Sequence, residues 1–201
     1  MLSLSYLFEE DEDFDREDMI DHFNERTHNH IFLVEKYLDK IINLEDSNLD
    51  NSILEKEKEG HDESKFLAPE HEPYLKINWR YHMKDRGIDY NPGKKIEDQM
   101  QAATFHHVKN NKHHPEFWDE KSTIENVNNK DRDKPPEQIV DATKMQLEYI
   151  ACMVADWCAM SEERNSDPYK WAKDNINVRW QFTPEQENFI YDLLDEVWKK
   201  K

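Results

Sequence analysis

The stretch that decides the fold is PPEQIVDATKMQLEYIACMVADWCAM, residues 135–160. Its two prolines are typical of a helix start, and Ile139, Leu147 and Val154 share one apolar stripe at helical spacing. Methionine, tyrosine and cysteine side chains cover another face, so the predicted helix is apolar most of the way round. Such a helix usually lies at the centre of a bundle, with other helices packed around it.

The rest of the chain also carries helical patterns. Only 3 glycines and 8 prolines occur in 201 residues, too few for a turn-dense β fold. The residues TPEQ at 183–186 form a capping box that starts the last helix. Other helices are predicted from near residue 27 and over residues 53–62, 74–82, 96–110 and 169–180, with a surface loop or lid at 119–134. No strand pattern competes with them.

The sequence therefore predicts an all-α fold. A single compact bundle of about six to eight helices is expected over residues 23–201. Residues 1–22 are expected to form an acidic N-terminal segment, partly disordered or docked on the bundle, because residues 9–13 are all acidic.

Composition and charge exclude some classes of function. The net charge of −18 argues against nucleic-acid binding through a basic face. It leaves room for a small phosphate-bearing substrate, since a bound cation can reverse the local field. Cys152 and Cys158 lie on different faces of one predicted helix, so no disulfide is expected between them. With no signal peptide or membrane span evident, a cytoplasmic location without a membrane partner is expected, and an oligomer is possible.

Asp156 is the most informative single residue, because it lies inside the apolar helix. A buried carboxylate needs a cation, a network of hydrogen-bond donors or a raised pKa. Pairing with Lys144, Arg164 or a helix N-terminus would satisfy it without any function. A metal ion is the alternative.

His61 and Asp62 place two metal ligands on adjacent residues. Neighbours on a helix point about 100° apart, so both can reach one ion only at a helix end or facing a crevice. His30, on the edge of the first buried stripe, is the preferred third ligand over His28. With Asp156 these residues offer two imidazoles and two carboxylates, which suit Mn²⁺, Fe²⁺, Co²⁺, Ni²⁺ or Zn²⁺. Coordination positions left open would allow such an ion to activate water.

These residues resemble a known family. A histidine (His30), an adjacent His-Asp pair (His61, Asp62) and a distant aspartate (Asp156), all on helices, resemble the signature of the HD-domain superfamily over about residues 27–160. More narrowly, the chain resembles an uncharacterised HD-related branch frequent in bacteriophage and large-virus genomes, through HDESKF at 61–66, HHVKNNKHHPEFW at 106–118 and DWCAM at 156–160.

The resemblance implies an HD-like bundle and a metal ion held by His30, His61, Asp62 and Asp156. It also implies hydrolysis of phosphomonoesters or phosphodiesters, in the host cytoplasm if the protein is viral. The chain departs from the better-known pattern, because Ser64 replaces an apolar residue and no glycine precedes Lys65. These changes leave the four expected ligands intact. The resemblance therefore does not imply the usual HD substrate class for this chain.

Residues beside the ligands are candidates for catalysis. Glu63 could orient a metal-bound water and Lys65 could neutralise a phosphate oxygen, although either could equally be a surface charge. His107, His113 and His114 belong to a dense block of donors at 106–114 and could bind substrate phosphate or act as acids towards the leaving oxygen. A solvated helix end is the simplest interpretation of this block.

A second metal is a further possibility, because some HD proteins hold one with extra histidines. By that resemblance its ligands would be His82 with His106 or His107.

Three functions are consistent with these sequence features. The first is a metal-dependent phosphohydrolase acting on a nucleotide or other small phosphate ester through metal-activated water. The second is a di-iron oxygenase of HD fold, which needs two ions per chain. The third is a non-catalytic, metal-binding helical protein whose acidic surface binds a partner.

Overall fold

A computed structural model describes residues 9–45, 47–127 and 138–198, and within them helices dominate. The all-α prediction is confirmed. A short 3-10 turn covers Glu63–Phe66. The helices are α1 (Glu9–Ile42), α2 (Asn51–Gly60), α3 (His71–Asp85), α4 (Lys94–Asn110), α5 (Pro115–Trp118), α6 (Ile124–Val127), α7 (Leu147–Glu163), α8 (Pro168–Asn175) and α9 (Pro184–Val197). Two strands of two residues each, β1 (Val140–Asp141) and β2 (Trp180–Gln181), pair in parallel.

Helix α7 lies at the centre of the core, as its apolar sequence predicts. Ile150, Val154 and Cys158 are completely buried, and α7 packs against α1, α2 and α9. From α1, Val34 and Leu38 are also completely buried in this cluster. Full burial of such an aliphatic side chain stabilises the fold by roughly 1.5–3 kcal/mol, so the α1–α7 contact is a main source of stability.

The central helix begins later than the sequence indicates, and this part of the prediction is wrong. Helix α7 starts at Leu147, and residues 135–137 lie outside the described residues. The amides of Val140 and Ala142 donate to the carbonyls of Arg179 and Gln181, both at 2.9 Å, so this segment pairs with β2 and is not helical. Its partner lies 40 residues along the chain, which periodicity alone does not reveal.

Helix α1 begins earlier than predicted, at Glu9 instead of near residue 27. Phe23 is completely buried and packs with Tyr74 of α3, and Met19 is also buried. Arg16 donates to both carboxylate oxygens of Glu72 on α3, at 3.0 and 2.7 Å. Residues 16–22 of the acidic segment therefore lie on a helix continuous with the bundle, while residues 1–8 lie outside the described part.

The remaining boundaries follow the sequence closely. The capping box at the start of α9 is confirmed, since Thr183 Oγ1 accepts from the amide of Gln186 and the Gln186 side chain accepts from the amide of Thr183. Helix α8 ends at Asn175 because the chain leaves it for β2. Within the predicted surface loop, residues 124–127 form α6, and residues 128–134 are not described. No helix among the described residues is long and apolar enough to cross a membrane.

Candidate metal centre

The His-Asp pair lies just beyond the end of a helix. Helix α2 stops at Gly60, and Asp62 adopts the left-handed conformation with φ of 60°. Asp is one of the few residues other than Gly that visit this region readily. This turn directs the side chains of His61 and Asp62, which are 3% and 1% exposed, into the same part of the interior.

The four predicted metal ligands converge. His30 Nε2, from α1, lies 3.1 Å from Asp156 Oδ1 of α7 and 3.5 Å from Asp62 Oδ2. His61 Nε2 lies 3.7 Å from the same Asp62 oxygen. The competing His28 is exposed and its ring lies against Phe66. His30 is therefore the histidine that meets the cluster.

Further histidines meet the other oxygen of Asp62. His107 Nε2, from α4, lies 3.1 Å from Asp62 Oδ1, and His113 Nε2 lies 3.9 Å from it. The ring of His114 lies 4.3 Å from that of His113 and 4.9 Å from that of His107, between centroids. Asp62 thus faces one pair of histidines with each oxygen, and Lys65 also contacts Oδ2.

The atoms lie close enough for coordination. Among the described residues, three groups each bring their ligand atoms within 4.8 Å of one another. The groups are His30 with His61 and Asp156, His61 with Asp62 and His113, and His107 with His113 and His114. They share His61 and His113, so they form one continuous cluster.

The cluster is rich in buried polar atoms that the protein itself leaves unpaired. Among the described residues, eight buried side-chain nitrogen or oxygen atoms lack a hydrogen-bond partner, and six belong to this cluster: His30 Nδ1, His61 Nδ1 and Nε2, Asp62 Oδ1, His107 Nε2 and His114 Nε2. Each such atom costs roughly 1–3 kcal/mol, and so many together call for an explanation. Divalent cations would satisfy most of them, so the residues fit a metal centre.

The protonation states also suit metal binding. Burial lowers the pKa of His61 to about 4 and holds the pKa values of His113 and His114 well below the ordinary value. Burial opposes ionisation of Asp62, but the Lys65 ammonium and neighbouring imidazoles outweigh it and keep the Asp62 pKa well below normal. The pKa of Asp156 is lowered too, because His30 outweighs its burial. Neutral imidazoles and ionised carboxylates are the forms that bind metals.

His107 differs from the other histidines, because a carboxylate lies on each side of it. Burial and Lys65 lower its pKa, but the contacts with Asp62 and Glu70 outweigh them and raise it above the ordinary value. His107 Nδ1 lies 2.9 Å from Glu70 Oε2, opposite the 3.1 Å contact of Nε2 with Asp62. A positive charge, either a proton or a metal ion, is therefore favoured between His107 and Asp62.

The second metal set predicted from the sequence is not assembled. The ring of His82 lies 4.1 Å from that of His22 and 4.9 Å from that of Trp79. His106 directs Nδ1 to Glu70 Oε1 at 2.7 Å, and neither His82 nor His106 belongs to a ligand group among the described residues. The structure brings in His113 and His114 instead, because the chain turns back between α4 and α5.

The two predicted catalytic residues beside the His-Asp pair have different environments. Lys65 Nζ contacts Asp62 Oδ2 and lies 5.3 Å from the centre of the Tyr74 ring. Lys65 also lines the cavity that opens onto the cluster, whereas Glu63 is exposed and does not. A role for Glu63 in orienting water gains no support from its position.

The cluster opens onto a cavity of about 480 Å³. Its lining includes His30, His107, His113, His114 and Asp156, three tryptophans (Trp157, Trp171, Trp180) and five cationic side chains (Arg26, Lys65, Arg80, Arg164, Arg179). Carboxylates balance part of this charge, because Arg26 pairs with Glu163, Lys65 with Asp62 and Arg80 with Glu97, and Glu116 also lines the cavity. With cations bound in the cluster, the cavity would suit a ligand with an anionic and an apolar part.

Sequence reasoning missed the carboxylates behind the histidines. Glu163 Oε2 lies 3.9 Å from His30 Nδ1, and Glu163 Oε1 accepts from Arg26 Nε at 2.9 Å. Glu70 contacts both His106 and His107. The chain contains 45 acidic residues, and no spacing distinguishes these two from the rest.

The fold and the site together define an all-α protein with a buried histidine and aspartate cluster beside a cavity. The model of a protein family described as "Family of unknown function (DUF5662)" matches residues 19–196. The chain therefore belongs to that family. No curated protein and no solved structure matches it.

Proposed function

We propose that the protein is a metal-dependent phosphohydrolase that acts on a nucleotide or another small phosphate ester through metal-activated water. The observation that carries the proposal is the convergence of His30, His61, Asp62 and Asp156, with further histidines on the second oxygen of Asp62. The resemblance of these residues to the HD-domain superfamily supports the same reaction. The two reduced cysteines fit action in the cytoplasm.

Two ions are favoured over one. His30, His61 and Asp156 would hold the first, and His107, His113 and His114 the second, with Asp62 between them. Bound divalent ions would supply a water acidified towards neutral pH and positive charge for the phosphoryl oxygens. This arrangement gives His107, His113 and His114 roles as ligands in place of the acid or phosphate-binding roles expected from the sequence.

The cavity favours an anionic substrate. Lys65 lies beside the cluster and can neutralise a phosphate oxygen, while its contact with Asp62 holds it in place. Four arginines also line the cavity, together with the carboxylates Glu97 and Glu116. Bound divalent ions would add the positive charge that attracts a phosphate ester in spite of the chain's overall negative charge.

A di-iron oxygenase remains the second candidate, because a histidine-rich set for two ions also suits iron. Its substrate need not carry negative charge, so the position of Lys65 beside the cluster favours hydrolysis of a phosphate ester. Iron-loaded protein that consumes O₂ with an added substrate, and shows no phosphate release with any metal, would support the oxygenase instead.

The test begins with metal-stripped full-length protein reloaded with Mn²⁺, Fe²⁺, Co²⁺, Ni²⁺ or Zn²⁺. We expect about two ions per chain by elemental analysis and release of phosphate or nitrophenol from a panel of nucleotides and nitrophenyl phosphates. Asp62→Asn should lose both ions and all turnover, while Asp85→Asn, at the exposed end of α3, should match the wild type. Turnover at the wild-type rate in Asp62→Asn would reject the proposal.

A further inference from the structure

Glu70 is a buried carboxylate in an unusual position. It precedes α3 as the N-cap residue, yet its side chain makes no capping hydrogen bond. Carboxylates at N-caps ordinarily accept from backbone amides of the first turn. Here the carboxylate is completely buried and its oxygens face side chains instead. Capping of α3 therefore does not explain why an acidic residue occupies position 70.

The partners of Glu70 are two histidines and a serine. Ser64 Oγ donates to Oε2 at 2.8 Å, and His107 Nδ1 lies 2.9 Å from the same oxygen. His106 Nδ1 lies 2.7 Å from Oε1. Because an ionised carboxylate can only accept, the 2.9 Å contact with Glu70 favours a proton on His107 Nδ1, which Ser64 Oγ and Asn111 Nδ2 also approach at 3.2 and 3.1 Å. Ser64, which departs from the usual HD pattern, serves to fix this carboxylate.

We propose that Glu70 is the positioning residue that presents His107 Nε2 to a metal ion, an inference that rests on the proposed metal centre. With its proton held on Nδ1, His107 has the Nε2 lone pair available for coordination. That nitrogen is buried, lacks a hydrogen-bond partner and lies 3.1 Å from Asp62 Oδ1. His107 Nε2 and Asp62 Oδ1 would then be ligands of the same ion, with Glu70 on the far side of the imidazole.

Glu70 acts on the second ion more than on the first. The corresponding carboxylate behind His30 is Glu163, whose Oε2 is 3.9 Å from His30 Nδ1, a full ångström longer than the Glu70 contact with His107. A carboxylate on the far nitrogen fixes the ring orientation and raises the basicity of the imidazole. Loss of Glu70 should therefore weaken the ion held by His107, His113 and His114 selectively.

The experiment measures metal affinity without any substrate. Metal-stripped wild type, Glu70→Ala, Glu70→Gln, Glu72→Gln and His106→Ala are titrated with Zn²⁺ by calorimetry, and circular dichroism checks the fold. Wild type is expected to bind two ions. Glu70→Ala should keep the first and bind the second roughly 10–100-fold more weakly. Glu70→Gln should lie between them, because its amide oxygen can still accept from His107.

Glu72→Gln, the same change at an exposed position of α3, is the matched control, and its affinities should equal those of the wild type. His106→Ala removes a partner of Glu70 but no member of a ligand group among the described residues, so it should weaken the second ion less than Glu70→Ala does. Nitrogen-15 spectra of the zinc-loaded wild type should show His107 coordinated through Nε2 with a protected Nδ1 proton, which exchanges faster in Glu70→Gln. This readout applies even if Glu70→Ala fails to fold.

The outcomes separate the two proposals. If the wild type binds two ions and Glu70→Ala and Glu70→Gln bind both equally well, the role of Glu70 is rejected and the metal centre stands. If Glu70→Ala does not fold, the role of Glu70 is rejected when Glu70→Gln has the wild-type metal affinities and an unchanged His107 spectrum. If the wild type binds no ion, both proposals are wrong. If it binds metal without hydrolysing any substrate, the role of Glu70 stands and only the reaction is rejected.

Discussion

At the scale of single residues, the site depends on which side chain of a neighbouring pair turns inward. His28 and His30 lie two positions apart on α1, and the chain offers both imidazoles to the same region. His28 is exposed and its Nδ1 lies 2.7 Å from the carbonyl of Asn24, whereas His30 is 7% exposed and contacts two aspartates. The apolar stripe through Val34 identified the inward face of α1, and His30 on it, from sequence alone.

This contrast gives a matched pair of variants. His30→Gln removes an imidazole that contacts Asp62 and Asp156. Mutation of a residue that is hydrogen-bonded to a metal ligand typically lowers metal affinity roughly 10–100-fold, and loss of His30 itself should lower it more. His28→Gln changes the same residue type on the same helix and should bind metal as the wild type does. Calorimetric titration with Mn²⁺ and Zn²⁺ measures both. Equal affinities for the two variants would remove His30 from the ligand set.

The buried histidines also predict how stability depends on pH in metal-free protein. The folded-state pKa of His61 is about 4, against about 6.5 when unfolded, so the unfolded chain binds protons first as the pH falls. The stability due to neutral His61 is fully present above about pH 6.5 and is lost towards pH 4. His113 and His114 act in the same direction, and His107, with its raised pKa, opposes them.

We expect the free energy of unfolding to fall by about 2 kcal/mol from about pH 7.5 to about pH 5 through His61 alone. Urea denaturation in the presence of a chelator measures it. His61→Asn should flatten this dependence. If wild type and His61→Asn depend on pH equally, His61 is not buried in its neutral form.

At the scale of elements, the spacing of apolar residues predicted the helices. It failed before α7, where the helical pattern continues back through the residues of β1. Leu147 and Ile150 belong to the same stripe in the sequence, yet Leu147 is 43% exposed and Ile150 is completely buried. The stripe before Leu147 is interrupted because the amides of Val140 and Ala142 bond to the segment around β2. Such pairing depends on residues distant in sequence, so a local pattern could not predict it.

These two residues give a prediction about the start of α7. Ile150→Ala should destabilise the protein by about 2–5 kcal/mol, since it leaves a cavity among α1, α7 and α9. Leu147→Ala, in the first turn and partly in solvent, should change stability by less than about 0.5 kcal/mol. Chemical denaturation measures both. A similar loss for the two variants would mean that Leu147 is as buried as Ile150.

At the scale of the whole molecule, the chain has a net charge of −18 and a buried cluster of histidines and aspartates beside a cavity. The sequence predicted the bundle and identified His30, His61, Asp62 and Asp156 as one group, because residue type and helical periodicity can be read locally. It could not predict Glu70 or Glu163, whose importance arises only when distant helices meet. It also proposed His82 with His106 or His107 for a second metal; of these only His107 lies in the cluster, because spacing does not show which histidines the turn after α4 brings back.

A cluster of buried, unpaired ligand atoms in a chain of net charge −18 should make folding depend on metal. An ion that binds only the folded state stabilises it by about 2.7 kcal/mol at a free concentration 100 times its Kd. For a chain of this size that corresponds to a rise in Tm of roughly 5–10 °C. Thermal unfolding of metal-stripped protein with increasing Zn²⁺ or Mn²⁺ measures the effect, and Asp62→Asn should not show it. A wild-type Tm that is the same in chelator and in metal would instead favour the non-catalytic helical protein, whose fold needs no ion.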